Sequence, residues 1–217
     1  MVRCPNVKLN NAIHEFLTHC EVGKYQSKKT IENYHHYLKR FMEFVGPTLD
    51  VSKIDAAILR NYRLHLYHFQ VPGEGTTLGI CTQQYHLIAL RALLTYLVKE
   101  DIATLPPEKV ELPKVPGRQV DALTREELDT LMASIDTNER TGLRDLALLH
   151  LLYSTGLRVS ELCNLNRDDV NFKTREFRVL GKGRKTRIVF ISETACKHLQ
   201  NYLQNRLDNF DPLFISN

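Results

Sequence analysis

No stretch of the 217-residue chain approaches the ~20 consecutive apolar residues that a membrane-spanning helix needs. The first residues lack a secretory pattern, because Lys8, Asn10, Asn11 and His14 interrupt any apolar core, so a cytosolic location and no membrane partner are expected. No Cys-x-x-Cys pair occurs. The five cysteines (Cys4, Cys20, Cys81, Cys163, Cys196) are dispersed and odd in number, which reads as reduced thiols packed as small hydrophobes, not as a disulfide framework. His35 and His36 are adjacent, and His65 and His68 lie one helical turn apart, but neither pair has a companion cluster at ligand spacing; no metal site is expected. A strong charge excess is missing too: 29 Lys and Arg face 25 Asp and Glu, a balance that permits nucleic-acid binding without requiring it. The distribution is uneven. Between Phe172 and Arg187 stand Lys173, Arg175, Arg178, Lys182, Arg184, Lys185 and Arg187, against Glu176 alone.

What is present reads as two domains. Residues 1–103 carry four amphipathic helical patterns with short connections, the signature of a small bundle. The first holds Leu9, Ile13, Phe16, Leu17 and Cys20 and stops near Gly23. Ser27 caps the second, whose inward positions are Ile31, Tyr34, Leu38, Phe41, Met42 and Val45, and Gly46-Pro47 ends it. The third runs from Asp55 to about Phe69, with Ile54 and Leu59 as a hydrophobic staple. The fourth runs from about Gly79 to Glu100, with Leu87, Leu90, Leu94, Leu97 and Val98 inward. Opposite the second helix's apolar stripe lie Lys29, Asn33, His36 and Arg40; the fourth opens on Thr82, Gln83 and Gln84 and carries Arg91 midway. Taken alone, these read as solvated helix faces.

Residues 104–118 contain Pro106, Pro107, Pro113 and Pro116, too dense for a helix or a ladder, and read as an extended interdomain linker. The second domain, 119–217, opens on a capping box, Thr124 with Glu127, and a staple of Leu123 with Leu128, and its helix extends to about Ile135. A further helix begins at Arg144, with Leu146, Leu149, Leu152 and Tyr153 as its stripe, and ends at Gly156, where positive φ is needed. A short helix follows, with Val159, Leu162, Cys163 and Leu165 apolar and Arg158 at its start. Three short strands come next, read from Val170/Phe172, Phe177/Val179 and Ile188/Phe190; Gly181 to Lys185 turns between the last two. Ser192 caps a last helix carrying Leu199, Leu203 and Leu207. Leu213 to Ile215 is apolar and reads as a segment lacking an onward partner.

The stretch T-G-L-R-V-S-E-L, followed by a G-K-G-x-K-x-R hairpin, resembles the tyrosine recombinase (phage integrase) family and its Xer-like members, as does the 24-residue separation of Arg158 and Lys182. The resemblance implies a mainly α fold with a small antiparallel sheet: a four-helix core-binding (SAM-like) bundle, then the first part of an α+β catalytic domain. It implies double-stranded DNA as partner. Arg158 and Lys182 would act on the scissile phosphate, and Glu161 would orient the arginine. Lys28, Lys29, Asn33, His36, Arg40, Gln83, Gln84, Arg91, Arg184, Lys185 and Arg187 would contact DNA. Without the motif, Arg158 reads as a helix-end ion pair with Glu161 or Asp145, and Lys182 as an exposed hairpin lysine with Lys185 as its competitor. Such a recombinase cuts and rejoins strands through a 3′-phosphotyrosine link, with no cofactor.

The family's His-x-x-Arg motif, its later His or Trp and its nucleophilic tyrosine have no counterpart here; His198 is followed by Leu199, Gln200 and Asn201, and Tyr202 comes too early in the family's order. The expectation is therefore a recombinase truncated within its catalytic domain, inactive alone and monomeric in solution, whose parent assembles as a tetramer on DNA. The alternative is a naturally short DNA-binding regulator that does no catalysis.

Overall fold

The computed structural model describes residues 6–73, 75–117, 121–181 and 185–215. The chain divides into two units at Arg118/Gln119. The first unit contains α1 (Leu9–Thr18), α2 (Lys28–Val45), α3 (Ala56–His68) and α4 (Ile80–Lys99). The caps fall where short polar side chains stand: Ser27 Oγ accepts from the Thr30 N–H at 3.2 Å and Asp55 Oδ1 from the Ile58 N–H at 2.8 Å, each such cap stabilising its helix by about 1 kcal/mol. Gly46 ends α2 at φ 93°, and α1 winds on through one π-helical turn, His19–Gly23. Leu9, Phe16, Leu38, Phe41, Tyr62, Leu90, Leu94 and Leu97 fill the core, and Ile54 and Leu59 are buried together at the start of α3. Val98 faces solvent instead of the core; the fully buried row of α4 also takes in Ala89 and Leu93. The proline-rich segment is only partly a linker. Pro107–Lys109 forms a 3-10 turn, and Leu105 and Val110 are buried in the helical core, because side chains between the prolines remain free to pack.

The second unit holds α5 (Arg125–Ala133), α6 (Arg140–Thr155), α7 (Val159–Cys163), the hairpin β1 (Glu176–Leu180) and β2 (Thr186–Phe190), and α8 (Glu193–Gln204). The Thr124–Glu127 capping box forms, but Leu123 is exposed and staples nothing. Helix α6 begins one turn before Arg144. Its inward row is Ala147 and Leu151 with Leu143, Leu148 and Leu152, which leaves Leu146 and Leu149 half-buried and Tyr153 exposed. Gly156 ends α6 in the left-handed region, φ 61°, as only a residue without Cβ does at little cost. In α7, Leu162 is buried while Val159 and Cys163 face out, and Leu157 takes the inward place ahead of the helix.

The sheet has two strands among the described residues. No strand forms at Val170 and Phe172, where the first one was expected: Val170 follows a 3-10 turn, Arg167–Asp169, and Phe172 lies in a turn. Short polar side chains capture the backbone there: Asp169 accepts from the Asn166 N–H, and Asn171 Oδ1 accepts from the N–H groups of Lys173 and Thr174. The phase of β2 is also the reverse of the expected one. Phe177 pairs with Val189 and Val179 with Arg187, so Val189 and Ile191 meet the core while Ile188 and Phe190 face out. The terminal apolar segment has a partner: Leu213 is fully buried, its N–H donates to the Leu165 carbonyl at 2.7 Å, and Phe214 stacks on Tyr202.

Candidate functional site

In the second unit three charged side chains meet where α7 faces the hairpin. Gly156 and buried Leu157 turn the chain so that Arg158 stands at the N-cap of α7 and Glu161 at its third position. Glu161 reaches back to the Arg158 backbone N–H at 2.9 Å and accepts from Arg158 Nη1 at 3.0 Å. From the other side Arg187 donates Nη1 to Oε1 and Nη2 to Oε2, both at 2.9 Å, the parallel fork an arginine makes with a carboxylate. The Glu161 side chain is 7% exposed. The Arg187 guanidinium, then the Arg158 N–H and guanidinium, hold its carboxyl at about 2, well below the usual range. It is therefore ionised at neutral pH. The Arg158 side chain is 66% exposed and, among the described residues, hydrogen-bonds only Glu161. Asp145, the other partner the sequence allows, pairs with Arg144 at 2.7 Å. Two guanidiniums and one carboxylate leave the cluster a net positive charge beside an exposed arginine fork, which suits an anion with several oxygens.

The hairpin is closed by the Gly181 N–H donating to the Lys185 carbonyl at 2.8 Å. A Cβ on Gly181 would stand 3.1 Å from Arg187 Nη1 and 3.8 Å from Glu161 Oε1. The residue preceding Lys182 thus abuts the Arg158–Glu161–Arg187 cluster, and glycine permits that approach. Lys182 and Arg184 themselves lie outside the described residues. Lys185 is exposed.

In the first unit, Lys28, Lys29, Asn33 and His36 are exposed along α2, and Arg91 is exposed on α4. Lys29 makes a surface pair with Glu32. Gln83 and Gln84 each spend an amide N–H on backbone, donating to the Leu78 carbonyl at 2.8 Å and to the Pro113 carbonyl at 3.1 Å. Arg40 is half-buried. Its Nη1 lies 3.0 Å from His86 Nε2, and its guanidinium sits 3.9 Å from the Phe69 ring centroid. Since arginine only donates, His86 Nε2 accepts, and the ring proton is on Nδ1, 3.3 Å from the Tyr37 carbonyl. His86 is 1% exposed. Burial, then the nearby Arg40 charge, push its pKa down to about 4, so it is neutral at pH 7.

Comparison with known proteins agrees with both units. The phage integrase SAM-like domain model matches residues 8–111, and the phage integrase family model matches residues 121–217. The chain belongs to the phage integrase family. It is 35% identical to the tyrosine recombinase XerD of Halalkalibacterium halodurans over 199 residues, covering 91% of this chain and 65% of the relative. It is 34% identical to the tyrosine recombinase XerA of Pyrococcus horikoshii over 211 residues, covering 95% of this chain and 65% of the relative. The chain thus spans 65% of the length of these relatives. The Tn1549 transposon integrase, solved with transposon right end DNA, shares the fold with a TM-score of 0.78 at 15% identity, over 97% of this chain and 72% of that one.

Within this member of the phage integrase family, the residues picked from the sequence separate into groups. Arg158, Glu161 and Arg187 come together in one cluster. Lys28, Lys29, Asn33, His36 and Arg40 share α2, while Gln83, Gln84 and Arg91 share α4, which packs against α2. His86, Phe69 and Tyr37, which fix Arg40, escaped the sequence reading. The signal for His86 was its place in the row His86, Leu90, Leu93 and Leu97, a polar ring in an otherwise aliphatic core face. Arg187 was read as a DNA contact; its fork is taken up by Glu161.

Proposed function

We propose that the chain binds duplex DNA and that, in the whole protein, it serves site-specific recombination by the tyrosine recombinase route. The observation that carries this reading is exposed Arg158 bonded to the Glu161 carboxylate, which itself lies beside Gly181 at the start of the hairpin turn. Transfer of a phosphodiester from one oxygen to another builds negative charge on the equatorial phosphate oxygens. Stabilising it takes fixed cations aimed at those oxygens. Arg158 supplies two-pronged donors that keep their charge, and Lys182 would offer a proton to the departing 5′ oxygen. The XerD and XerA relatives are tyrosine recombinases by name, and the Tn1549 integrase was solved on DNA.

The α2 face would hold the duplex, with Lys28, Lys29 and Arg40 on phosphates and Asn33 near base edges. The 217 residues hold no His-x-x-Arg motif, so this chain is proposed to bind DNA without forming a covalent link, as a monomer in solution. Incubation with a nicked suicide duplex tests this. Salt-sensitive retention with no covalent adduct is expected. A protein–DNA adduct would show that a nucleophile lies within these residues, and absence of any retention at low salt would defeat the DNA-binding reading.

A further inference from the structure

We propose that Arg187 is a positioning residue for Arg158, acting through Glu161, and not a phosphate ligand in its own right. The inference rests on the reading of Arg158 as a phosphate-binding group. Arg187 lies on the side of β2 that faces the core, opposite Val179 in the ladder, and its two terminal nitrogens are bound to the two oxygens of Glu161. A carboxylate has roughly four lone-pair sites, and Glu161 accepts four N–H groups: two from Arg187, one from the Arg158 guanidinium and one from the Arg158 backbone. Arg187 fills the bidentate edge. Arg158 is left a single bond to Oε1, so the rest of its fork stays turned to solvent.

Removal of Arg187 changes what Glu161 does. The carboxylate, barely exposed, then has Arg158 as its one remaining cation among the described residues. A free carboxylate edge and a free guanidinium edge form the two-bond pair that each prefers. Arg158 would be drawn down onto Glu161, its donors would turn away from the phosphate, and the cluster would fall from net positive to neutral. Arg187 therefore keeps the orienting acid from capturing the arginine it orients. Gly181 is part of the same surroundings: a Cβ there would stand 3.1 Å from Arg187 Nη1, so a side chain at this position would press the guanidinium to shift by a few tenths of an ångström.

The test uses the full chain and the variants R158Q, R187Q, R187K and R158Q/R187Q. Affinity for a duplex is read as log Kd against log salt, with the Glu161 carboxyl titrated by carbon NMR. Loss of one phosphate contact lowers the salt slope by about 0.9. The expected result is that loss for R158Q and for R187Q, with no further loss in the double variant. R187K should resemble R187Q, because an ammonium cannot supply the parallel fork. The Glu161 pKa should climb from about 2 in R187Q. Additive slope losses in the double variant, or a wild-type slope in R187K, would make Arg187 a direct phosphate ligand and overturn the inference. If R187Q does not fold, R187K carries the test alone: it should lose the same slope as R158Q, and a wild-type slope there overturns the inference. Should the wild-type chain bind no DNA, the functional reading falls separately, and a Glu161 pKa that stays near 2 in R187Q or R187K would still rule out the clamp.

Discussion

Arg158 and Arg187 share one oxygen: Glu161 Oε1 accepts from Nη1 of both, at 3.0 and 2.9 Å. One arginine comes from a helix start and the other from a strand 29 residues later in the sequence, so the carboxylate also ties α7 to the hairpin. Three consequences for stability follow from this pair and from two other arginine contacts.

Glu161 links the hairpin's attachment to pH. Its carboxyl is held at about 2 when folded, against an ordinary value of 4.5. A depressed carboxylate pKa gives stability that is complete above the unfolded value and drains away as pH falls through the folded one. The window is therefore about pH 4.5 down to 2. Urea unfolding of the wild type and E161Q should show the variant weaker at pH 7 and the two converging as pH approaches 2. Parallel acid limbs would mean that Glu161 carries no linked proton.

His86 sets a second window in the first unit. Its folded pKa of about 4 lies below the ordinary 6.5. The unfolded chain then binds the proton first, so stability falls as pH drops from 6.5 towards 4 and levels off below. A shift of this size corresponds to about 3 kcal/mol across the window. H86Q keeps an acceptor for Arg40 and removes the titration; its first-unit unfolding midpoint should be nearly flat between pH 7 and 4, where the wild type declines. Equal slopes would contradict the assignment of a buried neutral imidazole.

Arg206 is the knot of the second unit's last turn. Its side chain is 3% exposed, pairs with Asp208 and donates to the carbonyls of Pro212 and Leu213 at 2.7 and 3.0 Å. Asp208 also takes Arg167 at 3.0 Å, and these guanidiniums hold its carboxyl at about 2. Breaking such a buried pair by removing one partner costs about 3–5 kcal/mol. R206A is expected to lower the second unit's melting transition by an amount of that order and to speed amide exchange at Leu213. Unchanged exchange there would mean that the segment is held by Leu213 burial alone.

Much of this was legible in the residues because local signals agreed. Ser27, Asp55, Thr124 and Ser192 cap the helices they precede, and Gly156 ends α6. The family motif brought Arg158 and Glu161 together before any geometry. Misreadings arose where two periods fit the same run. Ile188, Val189, Phe190 and Ile191 are all apolar, so alternation alone has no phase; pairing with Phe177 and Val179 decides it, and it also turns Arg187 inward. Helix α6 carries leucines at 143, 146, 148, 149, 151 and 152, so several stripes are possible, and packing against α8 selects Ala147 and Leu151. The turns at Asn166 and Asn171 won over a strand because the Asp169 and Asn171 side chains accept backbone N–H groups within three residues. The Arg40–His86 contact spans 46 residues, and no local pattern announces it.

The account stands on Arg158 reaching a DNA phosphate. A crystal structure of the full chain on a duplex bearing its site tests that most directly. The predicted result is a backbone phosphate oxygen within about 3 Å of an Arg158 guanidinium nitrogen, with Arg187 still forked onto Glu161. A duplex lying away from the α7–hairpin face, with Arg158 on no phosphate, would contradict it.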